Sequence, residues 1–177
     1  LLVPEEDGLG HHFQELLESG RATAVDLPNG TRWWCATERR KAVESLHPGV
    51  SFHPDPPLPE DLEREPGPER EEAIVALLRG QIEISGPIEA QALAQRFSLG
   101  ESDVLVGLLA LEAEGLVLRG EFEPHVEGEQ FCARRLLSRI HAYTRDRLRK
   151  EIEPVSAQDF MRFLLRWQHV TPATKGE

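Results

Sequence analysis

The chain has 177 residues, 40% hydrophobic and 29% charged, a balance that supports one ordinary packed domain or two small ones. Its 31 acidic residues outnumber 20 lysines and arginines, giving a net charge of −11 that excludes a nucleic-acid binder working through overall positive charge. No apolar run approaches the roughly 20 residues a membrane-spanning helix needs, and residues 1–20 lack a signal peptide's apolar stretch.

In chain order, "LGHHFQELLES" (9–19) predicts a short helix with Phe13, Leu16 and Leu17 on one face, stopped by Gly20. "RATAVDLPNGTRWWCATER" then predicts a hairpin, because apolar and β-branched residues flank Asn29-Gly30, a pair suited to a tight turn with positive φ. A second helix is expected from about Glu38 to Leu46, ending at "HPG". Residues 1–52 therefore read as a helix–hairpin–helix piece, the tail of an upstream winged-helix-like unit. Six of the 13 prolines and several acids fall in residues 53–68, "HPDPPLPEDLEREPGP", where stiffening and lost backbone donors predict a linker or a strapped surface loop.

Residues 69–132 carry the clearest pattern. "EREEAIVALLRGQ" predicts a helix with Ala73, Ile74, Leu77 and Leu78 inward. A short extended stretch at "IEIS" leads to a helix opening near Pro87, with Leu93, Ala94 and Phe97 facing the core. After a turn with a cap at Ser98 or Glu101, a third helix places Val104, Leu108 and Leu111 on one stripe and stops at Gly115. "LVLRGEFEP" and "EQFCARR" predict two strands around a loop at "HVEG". Helix, helix, turn, helix and hairpin is the order of a winged helix-turn-helix.

Residues 133–172 form the last part, expected to pack on the winged helix. From Ala133 to Ile152, Leu137, Ile140, Thr144, Leu148 and Ile152 recur at helical spacing and predict a buried edge. Arg135, Arg139, Arg145, Arg149 and Lys150 project mostly to the other side. Pro154 ends that helix, and Ser156 with Asp159 forms a capping-box-like start for another, which should bury Phe160, Phe163, Leu164 and Trp167 before stopping ahead of Pro172. The fold class expected is α+β, mainly helical: a winged helix-turn-helix, a flanking helical pair and a small N-terminal helix–hairpin–helix unit.

Catalytic chemistry is not visible. The sequence has no Gly-rich phosphate loop, no G-x-S-x-G and no H-E-x-x-H. His11 and His12 are adjacent and point to different helix faces, which makes them poor joint ligands, and His141 reads as a boundary histidine near a buried edge. Cys35 and Cys132 fit neither zinc spacing nor a disulfide framework, so a reducing cytoplasm is the expected compartment. Beside Trp33 and Trp34, Cys35 reads as a buried structural thiol, with a reactive thiol as the alternative. No catalytic residue, metal ligand or cofactor is expected within the chain.

Two surfaces remain as candidates. The third helix of the winged pattern carries Glu101, Asp103, Glu112 and Glu114 and no cation, so it is a poor reader of a DNA groove and a candidate for docking a protein or another protomer. The arginine-rich helix could track a phosphate backbone without sequence preference, with Arg119 of the wing as a lesser addition. Bridging of those arginines to the chain's own carboxylates is the competing reading.

"RRLLSRIH", "LRKEIEPVSAQDFMRFLLRWQHV" and, less specifically, "LLALEAEGLVLRGEF" resemble segments of the Lhr-type superfamily 2 DNA helicases. The likeness covers roughly residues 70–170, and the hairpin "GRATAVDLPNGTRWWCATER" is similar to a further piece of the same proteins. The resemblance implies winged-helix modules downstream of an ATP-driven helicase core, in a parent protein linked to DNA repair that needs ATP and Mg²⁺. With a net charge of −11, DNA contact by the arginine-rich helix is expected to be weak, non-specific and shared with the parent's remaining domains. Some long members carry uracil-DNA glycosylase activity in a winged-helix C-terminal half, but no stretch here matches a glycosylase site. Lacking an initiator Met, the chain reads as a piece of a longer polypeptide.

Overall fold

A computed structural model describes residues 2–4, 10–126, 128–152 and 154–169. The start of the first helix at Leu9, Glu127 of the hairpin loop and the stop before Pro172 lie outside the described residues. The chain is α+β, with two small antiparallel sheets among its helices. It divides into two compact units, Leu1–Ser138 and Arg139–Glu177.

In the first unit, strand β1 (Leu2–Pro4) and helix α1 (Gly10–Glu18) precede the expected hairpin, β2 (Ala22–Asp26) and β3 (Arg32–Ala36). Gly30 takes φ of 81° at the turn, a conformation that is cheap without a Cβ, and its N–H donates to the Leu27 carbonyl at 2.8 Å. The hairpin is the centre of a four-stranded sheet, order β1-β3-β2-β4. Its outer strands, β1 and the two-residue β4 (Phe52–His53), are too short to carry an alternating pattern in sequence. The Phe13 ring of α1 stacks on Trp34, with centroids 4.2 Å apart.

Helix α2 (Arg40–Leu46) follows a 3-10 turn at Thr37–Arg39. The proline- and acid-rich stretch then runs along α2, with a short helix α3 (Glu60–Arg64) inside it. It is strapped there by backbone acceptors. Lys41 Nζ donates to the carbonyls of Glu63, at 2.8 Å, and Glu65, Ser45 Oγ to Pro68 at 2.8 Å, and Arg40 to Pro56 at 2.6 Å.

Helices α4 (Arg70–Ile82), α5 (Ala90–Phe97) and α6 (Glu101–Ala113) bury every residue assigned inward from periodicity, including Ile74, Leu78, Leu93, Phe97, Val104 and Leu108. Gly107 lets α6 lie against α4: an added Cβ would meet Leu78 Cδ1 at 2.7 Å and Ile74 Cγ2 at 3.0 Å. A second sheet, order β5-β7-β6, joins β5 (Ile88–Glu89) to the pair β6 (Val117–Gly120) and β7 (Gln130–Ala133). Strand β5 corrects the expected helix start near Pro87. Ile88 and Glu89 pair with Phe131 and Gln130, so α5 begins at Ala90.

Ser98 also differs from expectation. It takes left-handed φ of 53° and closes α5, while Gly100 precedes α6 and supplies no side-chain cap. Gly115 does stop α6. Its φ is 76°, its N–H donates to the Glu112 carbonyl and that of Leu116 to Leu111, the two bonds of a Schellman motif.

The sheet around Trp33 and the helices around Phe97 share one core, in which those two rings lie 5.1 Å apart. Polar ties cross the same boundary: Arg70 donates to the Leu46 carbonyl at 2.6 Å and pairs with Asp103 at 3.0 Å, and Asn29 Nδ2 donates to the Gln95 carbonyl at 3.1 Å. Cys35 and Cys132 are free, buried thiols, and burial pushes Cys35 up to about 11, away from thiolate chemistry.

His47 is buried at the end of α2, with no partner for Nε2 among the described residues. Burial, reinforced by the Arg70 charge, holds its pKa below the ordinary imidazole value. The unfolded chain therefore takes up a proton here before the folded one. Stability should fall as pH drops from about 6.5 through the folded pKa. His47→Gln is expected to flatten that part of the stability profile in urea melts, and an unchanged slope would remove His47 as the cause.

Candidate nucleic-acid interface

Helix α7 (Arg134–Glu151) begins directly after β7, where the Arg134 N–H donates to the Leu116 carbonyl at 2.9 Å. At about 100° per residue, Arg134, Arg135, Arg139, Arg145, Arg149 and Lys150 fall within an arc of about 160°. Arg134 belongs to this arc although the sequence reading omitted it. The same helical spacing that places Arg145 places it.

The cations differ in what they touch. Arg134, Arg135, Arg139, Arg149 and Lys150 are exposed and have no ion-pair partner among the described residues. Arg145 lies 3.5 Å from Asp146, both well exposed, an arrangement that contributes little in water. Arg147, outside the arc, pairs with Glu151 at 3.1 Å. Arg119 stands apart on β6, held between Glu112 of α6 at 3.6 Å and Glu129 beside β7 at 3.4 Å, so its charge is already met by neighbouring carboxylates.

Three of the four acids on and beside α6 are similarly committed, Asp103 to Arg70, Glu112 to Arg119 and Glu114 to Arg79 at 2.7 Å, while Glu101 at its start is exposed. What α6 turns to solvent is aliphatic: Leu105, Val106, which is 63% exposed, and Leu109, with Leu116 just beyond. Sequence periodicity had identified its inward stripe. It had not separated that stripe from a second apolar face, because the helix is apolar nearly all round.

The expected buried edge of α7 is corrected by the structure. Leu137 is half-buried, but Ile140, Thr144, Leu148 and Ile152 are exposed, as is His141. Helix α8 (Ala157–Trp167) has the expected start, with the Asp159 N–H donating to Ser156 Oγ at 3.1 Å. Its aromatic face is likewise exposed: Phe160, Phe163 and Trp167 are open, Leu164 is half-buried, and Phe163 stacks on Trp167 with centroids 6.3 Å apart. Amphipathic spacing specifies an apolar face but not the surface that covers it. Trp167, 68% exposed, should therefore tolerate alanine with a stability change of about 0.5 kcal/mol or less in a thermal melt. A loss of several kcal/mol would show that the indole is buried in solution.

No group of three or more His, Cys, Asp or Glu among the described residues is placed to hold a metal ion. No helix among them is long and apolar enough to cross a membrane.

Comparison with known proteins places these features in context. No protein-family model matches the chain. The chain does match a region of an Lhr-type helicase. That relative is the protein of Mycolicibacterium smegmatis named "Lhr helicase/ probable uracil glycosylase", 29% identical over 164 residues, or 93% of this chain. The match covers 10% of the relative's length.

Proposed function

We propose that the chain is an accessory winged-helix region of an ATP-dependent DNA helicase, and that α7 supplies DNA contacts without sequence preference. The order α4–β5–α5–α6–β6–β7, three helices and a three-stranded sheet, supports the winged-helix reading. One observation carries the DNA reading. In a chain of net charge −11, five cations of a single helix, Arg134, Arg135, Arg139, Arg149 and Lys150, are exposed without carboxylate partners among the described residues. Attraction of this kind is local and works through release of phosphate counterions.

The role is binding and interdomain assembly in the cytoplasm. ATP and Mg²⁺ belong to helicase motifs of the parent protein, whose DNA-repair role is what the resemblance to Lhr-type helicases implies. Remaining domains of the parent share the DNA and are partners of the chain. Anisotropy of labelled single-stranded and duplex DNA, titrated with the chain at about 50 mM salt, tests the reading. Binding to both, without preference among sequences, is expected; no binding would refute it.

A second reading is favoured by the aliphatic face of α6, an exposed apolar patch on a helix most of whose acids are already paired. On that reading the region is a protein-interaction or oligomerisation module. Val106→Glu would abolish association while leaving DNA binding intact. A third reading, as part of a glycosylase-like region, rests on the relative's name, and uracil-release assays test it.

A further inference from the structure

Tyr143 is the single tyrosine of the chain and lies in the middle of α7. Its side chain is 70% exposed, and no ring among the described residues stacks on it. Along a helix, residues four apart form a row on one side. Tyr143 stands in the row Arg135, Arg139, Tyr143, Arg147, Glu151, at the edge of the cationic arc, with Lys150 two turns on. The neighbouring acids are engaged: Asp146 lies against Arg145 and Glu151 pairs with Arg147. Arg139 and Lys150 are left open on either side of the ring.

An aromatic face open to water and flanked by cations on a shared row can do what cations alone cannot. Phosphates are met by the guanidinium and ammonium groups, while the ring offers its face to a base that is not already stacked in a duplex. A base inside a double helix has no free face, so it gains nothing from such a ring. We infer that Tyr143 is a stacking site for an unpaired nucleobase, giving α7 a preference for single strands over duplex.

This inference rests on the DNA reading of α7, and the test separates the two. The intact chain and its Tyr143→Ala and Tyr143→Phe variants are titrated with fluorescein-labelled oligo(dT) and with a duplex of equal length. Tyr143→Ala is expected to weaken oligo(dT) binding about tenfold and leave duplex binding within about twofold, while Tyr143→Phe binds both like the parent chain. Labelled with 3-fluorotyrosine, the parent chain gives one ¹⁹F line, which should shift with oligo(dT) but not with heparin, a polyanion without bases. Equal loss of both DNAs in Tyr143→Ala, or unaltered oligo(dT) binding, overturns the stacking role while the DNA reading stands. Failure of the parent chain to bind either DNA overturns both.

Discussion

Phe97→Ala is expected to destabilise the first unit by about 3–5 kcal/mol, the cost of removing a buried phenyl ring and leaving part of its volume empty. Phe97 has no exposed surface and ends α5 against Trp33 of the four-stranded sheet. Its loss therefore weakens the sheet and the helices together. Urea unfolding followed by far-ultraviolet dichroism and by tryptophan fluorescence should show one transition, shifted to lower urea by the same amount with both probes. Two transitions, with the tryptophan signal unmoved, would show that the sheet and helices do not share a core.

Arg135→Glu combined with Arg139→Glu is expected to weaken DNA binding on the order of 100-fold at about 50 mM salt, since each lost phosphate contact forfeits its counterion release. The loss should be the same for every sequence tested, and the dependence of log K on log salt should become shallower by about two contacts. Neither arginine has an ion-pair partner among the described residues, so the reversal should leave the melting temperature near that of the parent chain. An unchanged affinity would assign those cations to another purpose.

Much of the fold was legible in the sequence because local rules governed it. Asn29-Gly30 carries its own turn chemistry, Gly115 its helix stop, and the inward residues of α4, α5 and α6 recur at helical spacing. What was missed depended on distant partners. Strand β5 exists because Ile88 and Glu89 find Phe131 and Gln130 some forty residues on, and β1 because it meets β3.

The candidate site divides in the same way. Helical spacing grouped the cations of α7 and showed the opposite face to be apolar, both properties of one helix. Which cations were free could not be read, because Arg119 is answered by Glu112 and Glu129 from separate elements, whereas Arg139 is answered by none among the described residues. The exposure of Ile140 and Trp167 was illegible for a related reason: periodicity marks an apolar face without naming its cover.

The most direct test of the account is the salt dependence of DNA affinity measured by anisotropy for the unaltered chain. Five unpartnered cations predict that log K falls against log salt with a slope of about −4 to −5. A slope near zero, or no measurable binding at low salt, would contradict it.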